Sequence, residues 1–189
     1  DIGEYDIACH PRNLLVFSPE SASFALNPSN TMPAADLDSF DHAILALLQR
    51  DNLMPQRLIA EHINLSAPAV QRRIKRLQET GVIAANVAVL EPVKVGRTLT
   101  AVITVQLVND RPDLSRGFRA RIADEAAVQQ CFYVTGETDY ILVVTATDMD
   151  DYQAICKRLF EGDENIRRYS TSIALERIKT GLQLPLSAP

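Results

Sequence analysis

Residues 60–79 read AEHINLSAPAVQRRIKRLQE, and three positions in them decide how the first half of the chain folds. Ala60 is small enough to let a second helix approach closely. Asn64 tolerates a positive φ at low cost, which a tight turn between two helices requires. Val70 is a buried aliphatic at the spacing a helix-turn-helix needs. Ser66 suits the N-cap of the following helix, and Pro68 falls in its first turn, where a missing N–H costs nothing. Projected at 100° per residue, Val70, Ile74 and Leu77 cluster within about 60° as a core stripe. Pro68, Gln71, Arg72 and Lys75 fall opposite, with Arg76 at the flank. Four basic residues (Arg72, Arg73, Lys75, Arg76) stand against one acid (Glu79) between 66 and 80, a local charge of +3 in a chain whose net charge is −5. A polar, basic helix face delivered by a tight turn is what reading a DNA major groove demands. Arg73 projects near the edge of the buried stripe, so a structural ion pair with Asp41 is its expected role.

Working outward, Asp38 is the expected N-cap of a first helix, with Asp41 in its first turn. Phe40, Ile44, Leu47 and Leu48 form its apolar face. Pro55 opens a second helix with Leu58, Ile59 and Ile63 inward. Gly81 suits the position just past the end of the third helix. Val82-Ile83 and then Val87, Val89 and Leu90 predict a strand leaving the three-helix unit, and Pro92 and Gly96 mark a linker.

From Thr98 the period changes to two. Leu99, Ala101, Ile103, Val105 and Leu107 form one wholly apolar strand face. Leu114, Phe118 and Ile122 recur every four residues as a helix. Strands are expected over 130–135 and 140–147, joined across Gly136-Glu137-Thr138-Asp139. Tyr152, Ile155, Cys156, Leu159 and Phe160 follow a helical stripe, and Tyr169, Thr171, Ile173 and Leu175 alternate as a last strand. The order β-α-β-β-α-β is that of ferredoxin-like folds. Cys131 and Cys156 lie inside these elements and are expected to be packed thiols.

Composition narrows the function classes. At 189 residues and 47% hydrophobic content the chain holds one or two globular domains. No apolar run approaches a membrane span, so no membrane partner is expected. The acidic balance confines any nucleic-acid contact to a local patch. Three cysteines without paired spacing and three scattered histidines point to neither a disulfide framework nor a metal site, which fits a reducing cytoplasm. No P-loop, GxGxxG or GxSxG occurs, and no cofactor is expected. Residues 1–31 carry Pro11, Pro19 and Pro28 and one short apolar run, Leu14–Phe17, too short for a secretory signal. They read as a disordered extension, either an upstream addition before a natural start at Met32 or a native flexible tail.

The motifs together resemble the Lrp/AsnC (leucine-responsive, feast/famine) family of transcriptional regulators, over about 32–185. The resemblance rests on LDSFDHAIL at 37–45, Leu65-Ser66 with VQRRIKRL at 70–77, Gly81-Val82-Ile83, and Gly136-Glu137-Thr138-Asp139-Tyr140. It implies an α+β chain: a three-helix, winged helix-turn-helix domain over 32–83, a hinge strand and linker over 84–97, a ferredoxin-like RAM domain over 98–180, and a tail over 181–189. It maps the first turns of the reading helix onto Ser66, Ala67, Pro68, Gln71, Arg72 and Lys75, beside which Arg76 stands at the flank. It maps a small-effector loop onto Gly136, Glu137, Thr138, Asp139 and Tyr140, with Thr171 on the last strand as a further candidate. Glu137-Thr138 departs from the acidic and aromatic residues the family often carries there. The implied partners are double-stranded DNA, an effector that is commonly an amino acid, and further copies of the chain, as dimers and assemblies such as octamers. Two other classes stay open: an effector-binding or nucleoid-associated assembly module without promoter recognition, and a small enzyme, for which no nucleophile–base pair is visible.

Overall fold

The computed structural model describes residues 36–186, so the extension over 1–31 and the start-site expectation at Met32 lie outside the described residues. The chain divides into two compact units.

The first unit holds three helices, α1 (Ser39–Leu48), α2 (Gln56–Ile63) and α3 (Ala67–Glu79), together with residues 177–186. Asp38 caps α1 in a capping box: its side chain accepts from Asp41 N–H, and its own N–H donates to Asp41 Oδ2. Asn64 ends α2 with φ 54° and ψ 44°, the left-handed turn expected of it. Ser66 Oγ accepts from Ala69 N–H at the start of α3. Gly81 follows its end at φ 74°, its N–H bonds to Gln78 O, and Ile83 N–H bonds back to Leu77 O, so the left-handed glycine turns the chain back on the helix end. Ile44, Leu45, Ile59, Ala60, Val70 and Leu77 form the core. Phe40, expected to face inward, is 38% exposed, while Asp41 is fully buried. The helix is rotated toward Asp41 because the capping box and two arginines of α3 draw that carboxylate inward.

Two segments border this unit. Residues 84–91 make no strand ladder among the described residues, and Val87, Val89 and Leu90 are exposed. Apolar alternation alone does not make a strand: its N–H and C=O groups need a neighbouring backbone. The described part of the C-terminal tail is tied to the helices. Gln49 Nε2 donates to Leu184 O at 3.1 Å, Leu184 N–H donates to Gln49 Oε1 at 2.7 Å, and Leu186 packs against the helical core.

The second unit, Glu91–Glu176 among the described residues, opens on a 3-10 turn (Pro92–Val95). It then runs β1 (Leu99–Leu107), α4 (Pro112–Asp124), β2 (Val128–Tyr133), β3 (Tyr140–Ala146), α5 (Met149–Phe160) and β4 (Ile166–Ile173). The four strands form one antiparallel sheet of order β2-β3-β1-β4, as the ferredoxin-like reading expects. Ala101, Ile103, Val105 and Leu107 bury one face of β1 against Phe118 and Ile122 of α4 and Ile155 and Leu159 of α5, so both helices cover the same side. In α4 the phase is shifted: Ser115 is buried and Leu114 is 46% exposed. Cys131 is exposed rather than packed, because β2 is an edge strand; Cys156 is buried as expected.

Candidate functional site

The basic face of α3 is assembled from beneath. Arg73 Nη1 donates to Asp41 Oδ1 at 2.9 Å and to Asp38 Oδ2 at 2.8 Å, and Arg76 Nη2 donates to Asp41 Oδ2. Arg73 also lies over the Phe40 ring, 5.4 Å from its centroid. One buried carboxylate thus fastens α3 to α1 through two guanidinium groups, and the Arg73–Asp41 pair is where the sequence reading places it. With these two arginines turned to the scaffold, Gln71, Arg72 and Lys75 stand exposed on the outer face beside Pro68. Among the described residues Lys75 has one ion-pair neighbour, Glu79, 3.7 Å away and itself exposed, a pair worth little in water.

The seven residues read as a DNA face are therefore not equivalent. Ser66 is exposed but its hydroxyl caps the helix, and Ala67 is half-buried against the helical core. Arg76 has its side chain about half exposed but a terminal nitrogen committed to Asp41. Among the described residues, Gln71, Arg72 and Lys75 carry the donors that are not committed to α1.

The 136–140 loop joins β2 to β3. Its polar groups are largely turned to holding itself on β1. Thr138 Oγ1 donates to Val105 O at 2.7 Å, Asp139 N–H donates to Val105 O at 2.9 Å, and Asp139 Oδ2 accepts from Leu107 N–H at 2.7 Å. Gln106 Nε2 donates to Glu137 O. Gly136 has φ 128°, a conformation that a side chain would strain. Among the described residues Asp139 Oδ1 has no hydrogen-bond partner.

Tyr140 is 2% exposed, its ring edge-on to Phe118 at 5.2 Å. Its hydroxyl accepts from Arg119 Nε at 2.8 Å. Tyr133 lies 5.2 Å from the Tyr140 ring, and its hydroxyl donates to Asp110, which pushes its pKa up to about 12. Arg119, Tyr133 and Asp110 thus flank the loop, and none was singled out in the sequence. Their association is invisible there, because it joins a helix, an edge strand and a loop.

Thr171 is not part of this cluster. It sits on β4, at the opposite edge of the sheet from β2, with its hydroxyl paired to Tyr152. There it lines a groove of about 660 Å³ between α5 and β4, with Met149, Cys156, Phe160 and Tyr169. No group of three or more His, Cys, Asp or Glu side chains among the described residues is placed to hold a metal, and no helix among them is long and apolar enough to cross a membrane.

A winged helix-turn-helix DNA-binding family model matches residues 37–84, and the Lrp/AsnC ligand binding domain matches residues 100–184. The chain belongs to the Lrp/AsnC family. A relative, an uncharacterised HTH-type transcriptional regulator of Sinorhizobium fredii, is 36% identical over 153 residues, which cover 81% of this chain and 90% of that protein. The crystal structure of an AsnC family transcriptional regulator from Agrobacterium tumefaciens superposes with a TM-score of 0.74 at 32% identity, covering 79% of this chain and 97% of that one. A transcriptional regulator from Neisseria meningitidis, solved as its L-methionine complex, superposes with a TM-score of 0.72 at 31% identity over the same shares. Lrp/AsnC proteins are transcriptional regulators and not enzymes, so this chain is a regulator with a DNA-binding unit and a ligand-binding unit.

Proposed function

We propose that this regulator reads a DNA major groove with Gln71, Arg72 and Lys75 of α3, and that an amino acid bound at the 136–140 loop alters its assembly and DNA affinity. The observation that carries the first half is the division of labour on α3. Arg73 and Arg76 are spent on the buried Asp41, which leaves a rigid outer face of one amide and two cations. Phosphates attract the cations whatever the sequence, while the amide suits a base edge. Ser66, Ala67 and Pro68 place the first turn of α3 on the same side, and Arg76 positions the helix more than it contacts DNA.

Assembly supports the second half. The sheet face not covered by α4 and α5 carries Val102, Phe132, Ile141 and Val143, with Val102 and Phe132 exposed. We read this stripe as the homodimer surface, with the 84–97 segment as the hinge and higher assemblies built from dimers. Two helix-turn-helix units on a dyad then reach half-sites about one helical turn (~34 Å) or a multiple apart. The L-methionine complex of the Neisseria relative supports an amino acid as the effector class. We place the protein in the cytoplasm, where DNA is available and free thiols such as those of Cys131 and Cys156 persist.

A thermal-shift screen with the twenty amino acids, followed by footprinting with and without each hit, tests the whole reading. A hit that moves the footprint or its affinity supports it. No hit, with unchanged footprints, would sink the effector half.

A further inference from the structure

Four arginines among the described residues are half-buried: Arg73, Arg97, Arg119 and Arg121. Arg73 pairs with Asp38 and Asp41, Arg97 with Asp151, and Arg121 with Asp163. Arg119 alone has no carboxylate partner among the described residues. A half-buried cation forfeits hydration, and an arginine in this position ordinarily recovers it from an acid. Arg119 is instead held by two rings. Its guanidinium carbon lies 5.2 Å from the Tyr133 centroid and 5.8 Å from that of Tyr140, and its Nε is spent on the Tyr140 hydroxyl. Neither terminal nitrogen finds an acceptor among the described residues.

We propose that Arg119 is the carboxylate anchor of the effector site, its two terminal nitrogens taking the α-carboxylate of the bound amino acid in a bidentate fork. This deepens the amino-acid reading of the 136–140 loop and rests on it. The rings fix the guanidinium plane before the ligand arrives, so little side-chain entropy remains to be lost on binding. Tyr140 is both the last residue of the loop and the acceptor of the Arg119 Nε bond, which ties anchor and loop into one site. Two carboxylates stand on the other side of the charge balance. Asp110 holds the Tyr133 hydroxyl, and Asp139 is near enough for its charge to bear on the same hydroxyl. One cation flanked by two acids disfavours a dianion such as phosphate and favours a zwitterion, whose ammonium meets Asp139 Oδ1 while its carboxylate meets Arg119.

The test is calorimetric titration of the full chain, parent and Arg119→Ala, with Arg119→Lys beside them. Circular dichroism melting confirms that each variant folds, and native mass is recorded for each. The probes are the twenty amino acids, then the amide and the des-amino carboxylate of any binder (for methionine, methioninamide and 4-(methylthio)butanoate). The expected result is an amino acid that binds the parent and binds Arg119→Ala about 10- to 100-fold more weakly, the loss expected for a charge-assisted hydrogen bond. Arg119→Lys falls between, and the amide, which lacks the carboxylate, binds parent and Arg119→Ala equally weakly. An amino acid that binds Arg119→Ala within twofold of the parent overturns the anchor and leaves the amino-acid reading standing. Des-amino carboxylates that bind as tightly as amino acids, and are lost in Arg119→Ala, keep the anchor but overturn the amino-acid reading. No binding by any probe overturns both. A change of native mass in Arg119→Ala with ligand affinity intact would assign Arg119 to a carboxylate of a second copy and overturn the proposal.

Discussion

Arg73 Nη1 on α3 donates to Asp41 Oδ1 on α1 at 2.9 Å, and Asp41 is fully buried. The orientation of the reading helix is therefore set from inside the unit by a carboxylate that also closes the capping box of α1. Asp41→Ala removes the acceptor of two guanidinium groups and one backbone N–H together. Arg73 keeps Asp38 and both arginines reach solvent, so the cost is about 1–3 kcal/mol rather than that of a fully buried broken pair. Hydrogen exchange should show faster opening of α1 and α3, and DNA affinity should fall although Asp41 touches no DNA.

Acid should loosen the same junction. The Asp41 backbone N–H, and then the Arg73 side chain, hold the Asp38 carboxyl below the usual carboxylate range. A depressed folded value means that its stabilising contribution is present above the unfolded value, about pH 4, and is lost as pH falls through the folded one. A carboxyl-carbon NMR titration should find Asp38 titrating below an unstructured aspartate. An Asp38 midpoint at or above that reference would contradict the capping-box account.

Asn64 tests the turn itself. At φ 54° Asn64→Gly should be tolerated with little change in melting temperature. Asn64→Val, β-branched in a left-handed conformation, should cost about 1–2 kcal/mol and weaken DNA binding through misplacement of α3. Equal stability of the two variants would mean that the turn does not hold this conformation in solution.

Asp139 separates support from sensing. Its Oδ2 accepts from Leu107 N–H at 2.7 Å, so Asp139→Ala should lose about 1–2 kcal/mol of stability as well as the effector response. Asp139→Asn keeps an acceptor for Leu107 and removes only the charge. It should keep the parent's melting temperature and its unliganded DNA affinity while losing the response to an amino acid. An Asn variant that responds as the parent does would leave the loop a structural connection.

How much of this was legible in the sequence follows from which interactions are local. The turn at Asn64, the cap at Ser66 and the apolar face of β1 each depend on residues a few positions apart, and each was read correctly. The phase of α1 was missed because the burial of Asp41 is decided by arginines more than thirty residues away. The strand expected near Val87 and Val89 makes no ladder among the described residues, because alternation records side chains, whereas a strand needs a partner backbone. Thr171 was a further candidate beside the 136–140 loop, and the fold pairs its hydroxyl with Tyr152 of α5 while the loop's polar groups bond to β1. Arg119 looked like an ordinary polar position on α4, and only the ion pairs made by the other half-buried arginines mark it out.

The central claim is that Arg72 and Lys75 meet DNA phosphates while Arg73 and Arg76 hold the helix. The most direct measurement is the salt dependence of binding to a duplex that the parent protein selects from a random pool. The Arg72→Ala/Lys75→Ala double variant should melt like the parent and bind more weakly. Its plot of log K against log salt should be shallower by about 1.8, two phosphate contacts at ~0.9 each. A double variant with the parent's affinity and slope would remove this face of α3 from the DNA interface.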